Sequence, residues 1–297
     1  MGYSARYHAA SLAAVFIALA VGILIGVEFG SDVVNGTADD LENSLQADVE
    51  RYRQQAGDLE RELSSERDFE ETIYPMVVAE HLHGQRVAVI GLGGLGPEIS
   101  ADVESALGPT GAKIAEIAVV NEPPSLDQLA STLDGRQARA LARGDTDAID
   151  AFAEDAGREL VFGGPRFDDL RGTLLGRYSG RPNGIDAVVV IRQRPDELDP
   201  DQSTATDHLE QGILSGLLQT ARPVVGVEQT STDPSTISFF AGGGTSTVDD
   251  VDRTAGQVAL VYALAGANGH FGVKDSADSL LPDLLTPSGE QTTTTTR

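Results

Sequence analysis

Hydrophobic and polar positions fall into three regimes along the chain. Residues 9–27 carry no charged side chain and one hydroxyl, Ser11. At about 1.5 Å of rise per residue such a helix reaches roughly 28 Å, close to the ~30 Å hydrocarbon core of a bilayer. No polar face interrupts the run, so the pattern predicts a transmembrane helix, assigned here to residues 9–29. The competing reading is a cleaved signal peptide. Its A-x-A candidate, Ala18-Leu19-Ala20, lies in mid-span, and the run passes directly into Val27-Glu28-Phe29-Gly30, so an uncleaved anchor is expected. Arg6 precedes the run, while Glu28, Asp32, Asp39 and Asp40 follow it. The positive-inside bias then places a short tail, residues 1–8, in the cytoplasm and the rest of the chain outside. Ala10, Ala14, Ala18, Gly22 and Gly26 recur at every fourth position. That stripe of small side chains, ending in a G-x-x-x-G pair, predicts close approach of two helices in lipid.

A second regime is polar with a narrow apolar seam. Leu41, Leu45, Val49, Tyr52, Ala56, Leu59 and Leu63 follow one another at spacings of three and four, flanked by Glu50, Arg51, Arg53, Glu60, Arg61, Glu62 and Arg67. This pattern predicts a coiled-coil stalk over residues 32–74 that pairs two copies of the chain. The step from Leu45 to Val49 reads as a stutter that locally unwinds the supercoil. A single helix lying on its own globular domain is the other reading of the seam. Pro75 is expected to end the helix.

The third regime alternates short apolar runs with amphipathic ones. Strands are predicted at 86–91, 113–120, 185–191 and 223–227, and helices at 97–107, 126–142, 147–160, 204–221 and 251–265. Fully apolar strands alternating with helices predict an α/β fold, a doubly wound and mostly parallel sheet over residues 84–275. From Pro282 the chain turns polar and closes on five threonines before Arg297. Residues 282–297 are therefore expected to be disordered.

Composition narrows the chemistry. The 297 residues carry 46 acids against 21 bases, a formal net charge of −25, and the only lysines are Lys113 and Lys274. Such a balance argues against nucleic-acid binding, which needs clustered cations facing phosphates. Absence of cysteine removes disulfides, thiolate metal sites and cysteine nucleophiles.

Gly91-Leu92-Gly93-Gly94-Leu95-Gly96 matches G-x-G-x-x-G between a strand and a helix. Pro97, however, suits only the first position of a helix, so the run reads as a strand-to-helix turn and no cofactor is expected. His81 and His83 are the candidate metal ligands, against the reading of solvated histidines in a loop or last turn. Thiolates are absent, and the nearest thioether is Met76, which leaves little soft chemistry for copper(I). His208 reads as a surface residue. Asp168-Asp169 and Asp249-Asp250 read as helix N-termini or acidic surface. The stretch from Gly242 to Thr247 reads as a loop, and Gly269-His270-Phe271-Gly272-Val273-Lys274 as the glycine cap of the last helix, with Phe271 packing back on the sheet. No Ser-His-Asp order, metalloprotease helix or phosphate loop is evident, so a non-enzymatic protein is expected.

The span from His8 to Gly26, the helix behind it, Val248-Asp249-Asp250-Val251-Asp252, Ala255-Gly256-Gln257-Val258-Ala259-Leu260 and Gly269-His270-Phe271-Gly272 together resemble the actinobacterial MctB family, SteB-like relatives included. The resemblance implies a cell-envelope protein with a role in copper transport or homeostasis, copper being cargo. Through the SteB-like relatives it implies instead a non-transporting extracytoplasmic scaffold that binds a membrane or septal partner. A homodimer joined through the span (Ala14, Ala18, Gly22, Gly26) and the stalk (Leu41, Leu45, Val49, Tyr52, Leu59, Leu63) fits either. One apolar helix cannot form a β-barrel pore by itself.

Overall fold

A computed structural model describes residues 5–195 and 197–283, with side-chain surroundings over 10–26, 45–195 and 197–283. The chain divides into two compact units, Met1–Phe69 and Glu70–Arg297.

The first unit is helical. Helix α1 runs over Ala5–Val78. Side chains at 10–26, including Ala14, Ala18, Gly22 and Gly26, are exposed on it. Among the described residues no helix is long and apolar enough to cross a membrane; the apolar run of the sequence, 9–27, extends past the described side chains at both ends. Leu45, Val49, Tyr52, Leu59 and Leu63 are all exposed on this helix, Tyr52 at 65 %. Leu41 falls outside the described side chains, as does most of the tail at 282–297. The helix does not stop at Pro75: it continues to Val78. Proline removes one hydrogen bond there, but tertiary packing holds the final turn. Tyr74 and Val78 are buried in the second unit, and the Tyr74 hydroxyl donates to the Ala106 carbonyl at 2.6 Å.

The second unit is a seven-stranded sheet in the order β3-β2-β1-β4-β5-β6-β7, where β1 is Arg86–Leu92, β2 Lys113–Val120, β3 Leu175–Gly180, β4 Ala187–Arg192, β5 Val224–Val227, β6 Ser246–Val248 and β7 His270–Phe271. Neighbours are parallel except β2 and β3. The doubly wound α/β expectation holds, with one antiparallel edge strand added.

Strand residues alternate between two layers, both apolar, which is why β1 and β4 read as continuous apolar runs. Ala88, Ile90, Leu92, Val188 and Val190 face helices α3 (Leu126–Ala130), α4 (Gly135–Ala142), α5 (Thr146–Phe162), α6 (Phe167–Thr173), α7 (Pro200–Leu218) and α8 (Ile237–Gly242). Val87, Val89, Ala187, Val189 and Ile191 face α2 (Pro97–Leu107), α9 (Thr254–Leu264) and the end of α1. Phe271 is buried in this second layer, as expected.

Three local expectations are corrected. The helix expected at 126–142 is two, α3 and α4, separated at 131–134. Residues 242–247 are not all loop, since Gly242 ends α8 and Ser246 begins β6. The segment after α9 contains strand β7 instead of serving only as a cap. Strand β3 has exposed positions and two glycines, and β6 and β7 are only three and two residues long, so none gives a period-2 signal; β2, β5 and β6 recruit them through the ladder.

Glu116 in β2 is 1 % exposed, and neither of its carboxylate oxygens has a hydrogen-bond partner among the described residues. Burial pushes its pKa from 4.5 up to about 8. Between those values the folded chain holds a proton that the unfolded chain has released, so stability falls as pH rises from about 4.5 to 8. Replacing Glu116 by Gln is expected to flatten that slope and to raise the urea midpoint at pH 8 more than at pH 5. Equal shifts at both pH values would show that Glu116 does not titrate with folding.

Candidate functional site

Strand order reverses between β1 and β4, and in open α/β sheets the crevice beyond the strand ends at that point is where ligands bind. Here it is built from the turn after β1, Glu122 after β2, Arg192, Gln193 and Arg194 at the end of β4, and Asp207 and Glu210 on α7.

The glycine turn behaves as its proline foretells. Gly96 is the residue preceding α2, and Pro97 opens the helix. Gly93 has φ +79°, and a Cβ there would lie 2.6 Å from Glu122 Oε2 and closer still to the Gln193 carbonyl oxygen. Gln193 Oε1 accepts the Gly96 N–H at 2.7 Å. The Gln193 side chain thus occupies the helix N-terminus that an anionic ligand would otherwise use.

Beneath the turn lies an ionic cluster. Arg192 bonds Glu210 in bidentate fashion, Nε to Oε1 at 2.9 Å and Nη2 to Oε2 at 2.8 Å. Arg194 reaches Asp207 at 2.6 Å and Glu210 at 3.1 Å. The Glu210 side chain is fully buried. Phe239 of α8 covers the Arg192 guanidinium at 4.4 Å. Both Glu122 carboxylate oxygens are buried without a hydrogen-bond partner among the described residues. Desolvation raises its pKa, Glu210 adds to the rise, and Arg194 and Arg192 oppose it. The crevice therefore holds an ion network of the chain's own side chains.

A second network joins the far strands. Lys274 Nζ donates to Glu228 Oε1 at 2.7 Å and to the Thr232 carbonyl at 2.9 Å. Glu228 also accepts the Ser235 hydroxyl and the Thr236 N–H, both at 2.6 Å. Asp249 accepts the Val273 N–H at 2.8 Å. A Cβ on Gly272, where φ is +138°, would collide with the Asp249 carboxylate. Asp249 and Asp250 are buried, and α9 begins only at Thr254, so the acidic-surface and helix-terminus readings of this pair are both wrong. Burial, then the neighbouring Asp249 and Asp252, push Asp250 up to about 6. Asp168 and Asp169, by contrast, do stand in the first turn of α6. The sequence treated residues 248–252 and 269–274 separately; hydrogen bonds to Asp249 bring them together.

The histidines sit in the turn between α1 and β1. His81 Nδ1 lies 3.1 Å from the Ala79 carbonyl, and its ring packs 4.8 Å from that of Tyr262. His83 Nδ1 pairs with Glu80. The two Nδ1 atoms are turned to different neighbours. Among the described residues no three His, Cys, Asp or Glu side chains are grouped to hold a metal ion. His208 is not a free surface group: its Nδ1 meets Asp150 Oδ1 at 2.8 Å, tying α7 to α5.

Fold and site define an α/β head with a filled switch point, carried behind a long N-terminal helix. The chain belongs to the MctB family, whose description is "Copper transport outer membrane protein, MctB"; the match covers residues 3–164 and 167–282. It is similar to proteins named "Copper transporter MctB" from Mycobacterium bovis and Mycobacterium tuberculosis. Each is 24 % identical over 319 aligned residues, covering 93 % of this chain and 98 % of the relative.

Proposed function

We propose that this protein is a single-pass envelope protein that serves copper homeostasis as a non-enzymatic, helix-paired assembly and does not itself form the copper pathway. The observation that carries the reading is the unpartnered seam of α1, where Leu45, Val49, Tyr52, Leu59 and Leu63 all stand exposed on one helix. Exposed apolar residues at heptad-like spacing are stabilised by pairing with a second copy. The apolar run at 9–27 anchors the chain, with the head outside the cytoplasm. Beyond the helix's own adjacent backbone, a Cβ added at Gly22 or Gly26 would meet nothing within 4 Å among the described residues, leaving room for close helix contact. Two further features support a scaffold. The switch point is filled, and the described strands form one open sheet with two edges. Copper enters through family membership, as cargo of the pathway that the assembly serves.

The test combines assembly and copper. Single cysteines introduced at Val49 and Leu59 of this cysteine-free chain are expected to cross-link two copies in membranes. Gly22→Leu with Gly26→Leu is expected to weaken self-association in a membrane two-hybrid assay. A strain lacking the protein is expected to accumulate copper, and the wild-type chain, but not Val49→Glu with Leu59→Glu, to reverse this. Full rescue by the charged-seam variant would sink the assembly reading. Unchanged cell copper accompanied by septal defects would sink the copper role and leave the SteB-like scaffold.

A further inference from the structure

The two edges of the sheet are finished differently. At β7 the following segment closes the edge: the Gly272 N–H donates to the Ser279 carbonyl at 3.0 Å and the Asp278 N–H to the His270 carbonyl at 2.7 Å, with Phe271 bridged to Ser279. At the other end β3 pairs with β2 alone. Its outer row of N–H and C=O groups meets no strand among the described residues. A free edge of this kind is a template for an added strand.

Charge selects what could fill it. From Gly172 to Gly184 the chain has no acid, and Arg177 and Arg181 are its charged residues, within a protein of net charge −25. Among the described residues neither forms an ion pair; Arg177 donates to the Leu95 carbonyl at 3.4 Å. Beside the strand a cleft of about 600 Å³ is lined by Phe162, Phe167, Asp168, Arg171, Tyr178 and Arg181. Phe162 is 54 % exposed. Among the described residues Arg171 pairs only with an exposed Asp168, at 3.5 Å.

We propose that the β3 edge and its arginine-lined cleft dock an acidic, extended segment of a partner polypeptide by strand addition. Backbone hydrogen bonds to β3 supply affinity, carboxylates at alternate positions meet the arginines, and an apolar side chain between them enters the cleft. A second copy of this chain is the poorer occupant, because pairing two β3 strands would bring their arginines together, and like charges across a ladder are destabilising. Edge charges also guard against aggregation. Either sign would serve that purpose, whereas only cations, set beside a cleft that presents the Phe162 and Phe167 rings, serve recognition of an acidic strand.

Fluorescence anisotropy on the full chain in non-ionic detergent tests this, with a labelled octapeptide that alternates Glu and Val. Saturable binding that weakens with salt is expected. Arg177→Glu with Arg181→Glu should reduce affinity at least about tenfold while leaving the circular dichroism spectrum unchanged, because both side chains are exposed. A Lys/Val peptide, and a Glu/Val peptide N-methylated at alternate amides, should both fail to bind. Absence of saturable binding, or equal binding by the arginine variant or by the N-methylated peptide, would overturn the proposal. So would self-association without peptide that the arginine substitutions abolish, since the occupant would then be a second copy.

Discussion

Replacing Arg192 by Met is expected to destabilise the head by about 3–5 kcal/mol, because it strands a buried carboxylate. Glu210 is wholly buried and takes both of its oxygens' close partners from Arg192. Arg194 Nη2 at 3.1 Å remains beside it, which favours the lower end of that range. For a domain of this size the loss corresponds to a fall in Tm of roughly 6–20 °C, at about 2–4 °C per kcal/mol. Thermal unfolding followed by circular dichroism reads it directly. Arg192→Met combined with Glu210→Leu should recover more than half of the loss, since exchanging a buried ion pair for apolar groups of similar volume is often neutral or better. Arg51→Ala removes an exposed pair with Asp48 on α1 and should change Tm hardly at all. Equal effects at Arg192 and Arg51 would mean that the switch-point cluster is solvated and contributes little.

The second large effect lies between α5 and α7. Gly212 and Gly216 on α7, with Gly157 on α5, let the two backbones touch. A Cβ at Gly216 would collide with the Glu154 carbonyl oxygen, one at Gly157 with the Ile213 carbonyl oxygen, and one at Gly212 with Ala153. Alanine normally gains about 1 kcal/mol over glycine inside a helix. At Gly216 the clash is with backbone, which cannot rotate away, so Gly216→Ala is expected to lose a net ~1–3 kcal/mol as an overpacking change. Gly172 of α6 has nothing within 4 Å of a Cβ, and Gly172→Ala should be neutral or stabilising by up to about 1 kcal/mol. Urea midpoints compare the pair; a stabilised Gly216→Ala would show that α5 and α7 separate easily.

These two sites mark the limit of what was legible in the chain. The sequence singled out Gly22 and Gly26, because small residues at every fourth place stand out in an apolar run. Gly212 and Gly216 have the same spacing but sit in a mixed helix, where the pattern is indistinguishable from chance until α5 is placed against it. Likewise Arg192, Arg194 and Glu210 carry no local signal, since their pairing depends on which strand lies beside which helix. Gln193 could not be foreseen as the occupant of the glycine turn. Pro97 did announce that the turn would not take the dinucleotide form, because a residue without an N–H marks the start of a helix wherever the rest of the chain goes.

By itself the sequence determined the helical character of residues 9–29 and 32–74, the four apolar strands β1, β2, β4 and β5, and the α/β alternation, while the union of the two helical stretches in one helix, α1, came from the structure. Each feature the sequence determined follows from a local period of hydrophobic positions, 3.6 or continuous, that any water-excluding fold must respect. Only the tertiary structure decided the edge strand β3, the short β6 and β7, the last turn of α1 beyond Pro75, the burial of Asp249 and Asp250, and the filled switch point. Those features take their stability from neighbours distant in the chain, through ladder hydrogen bonds, close helix contact and paired charges, and such neighbours exist only once the sheet has formed.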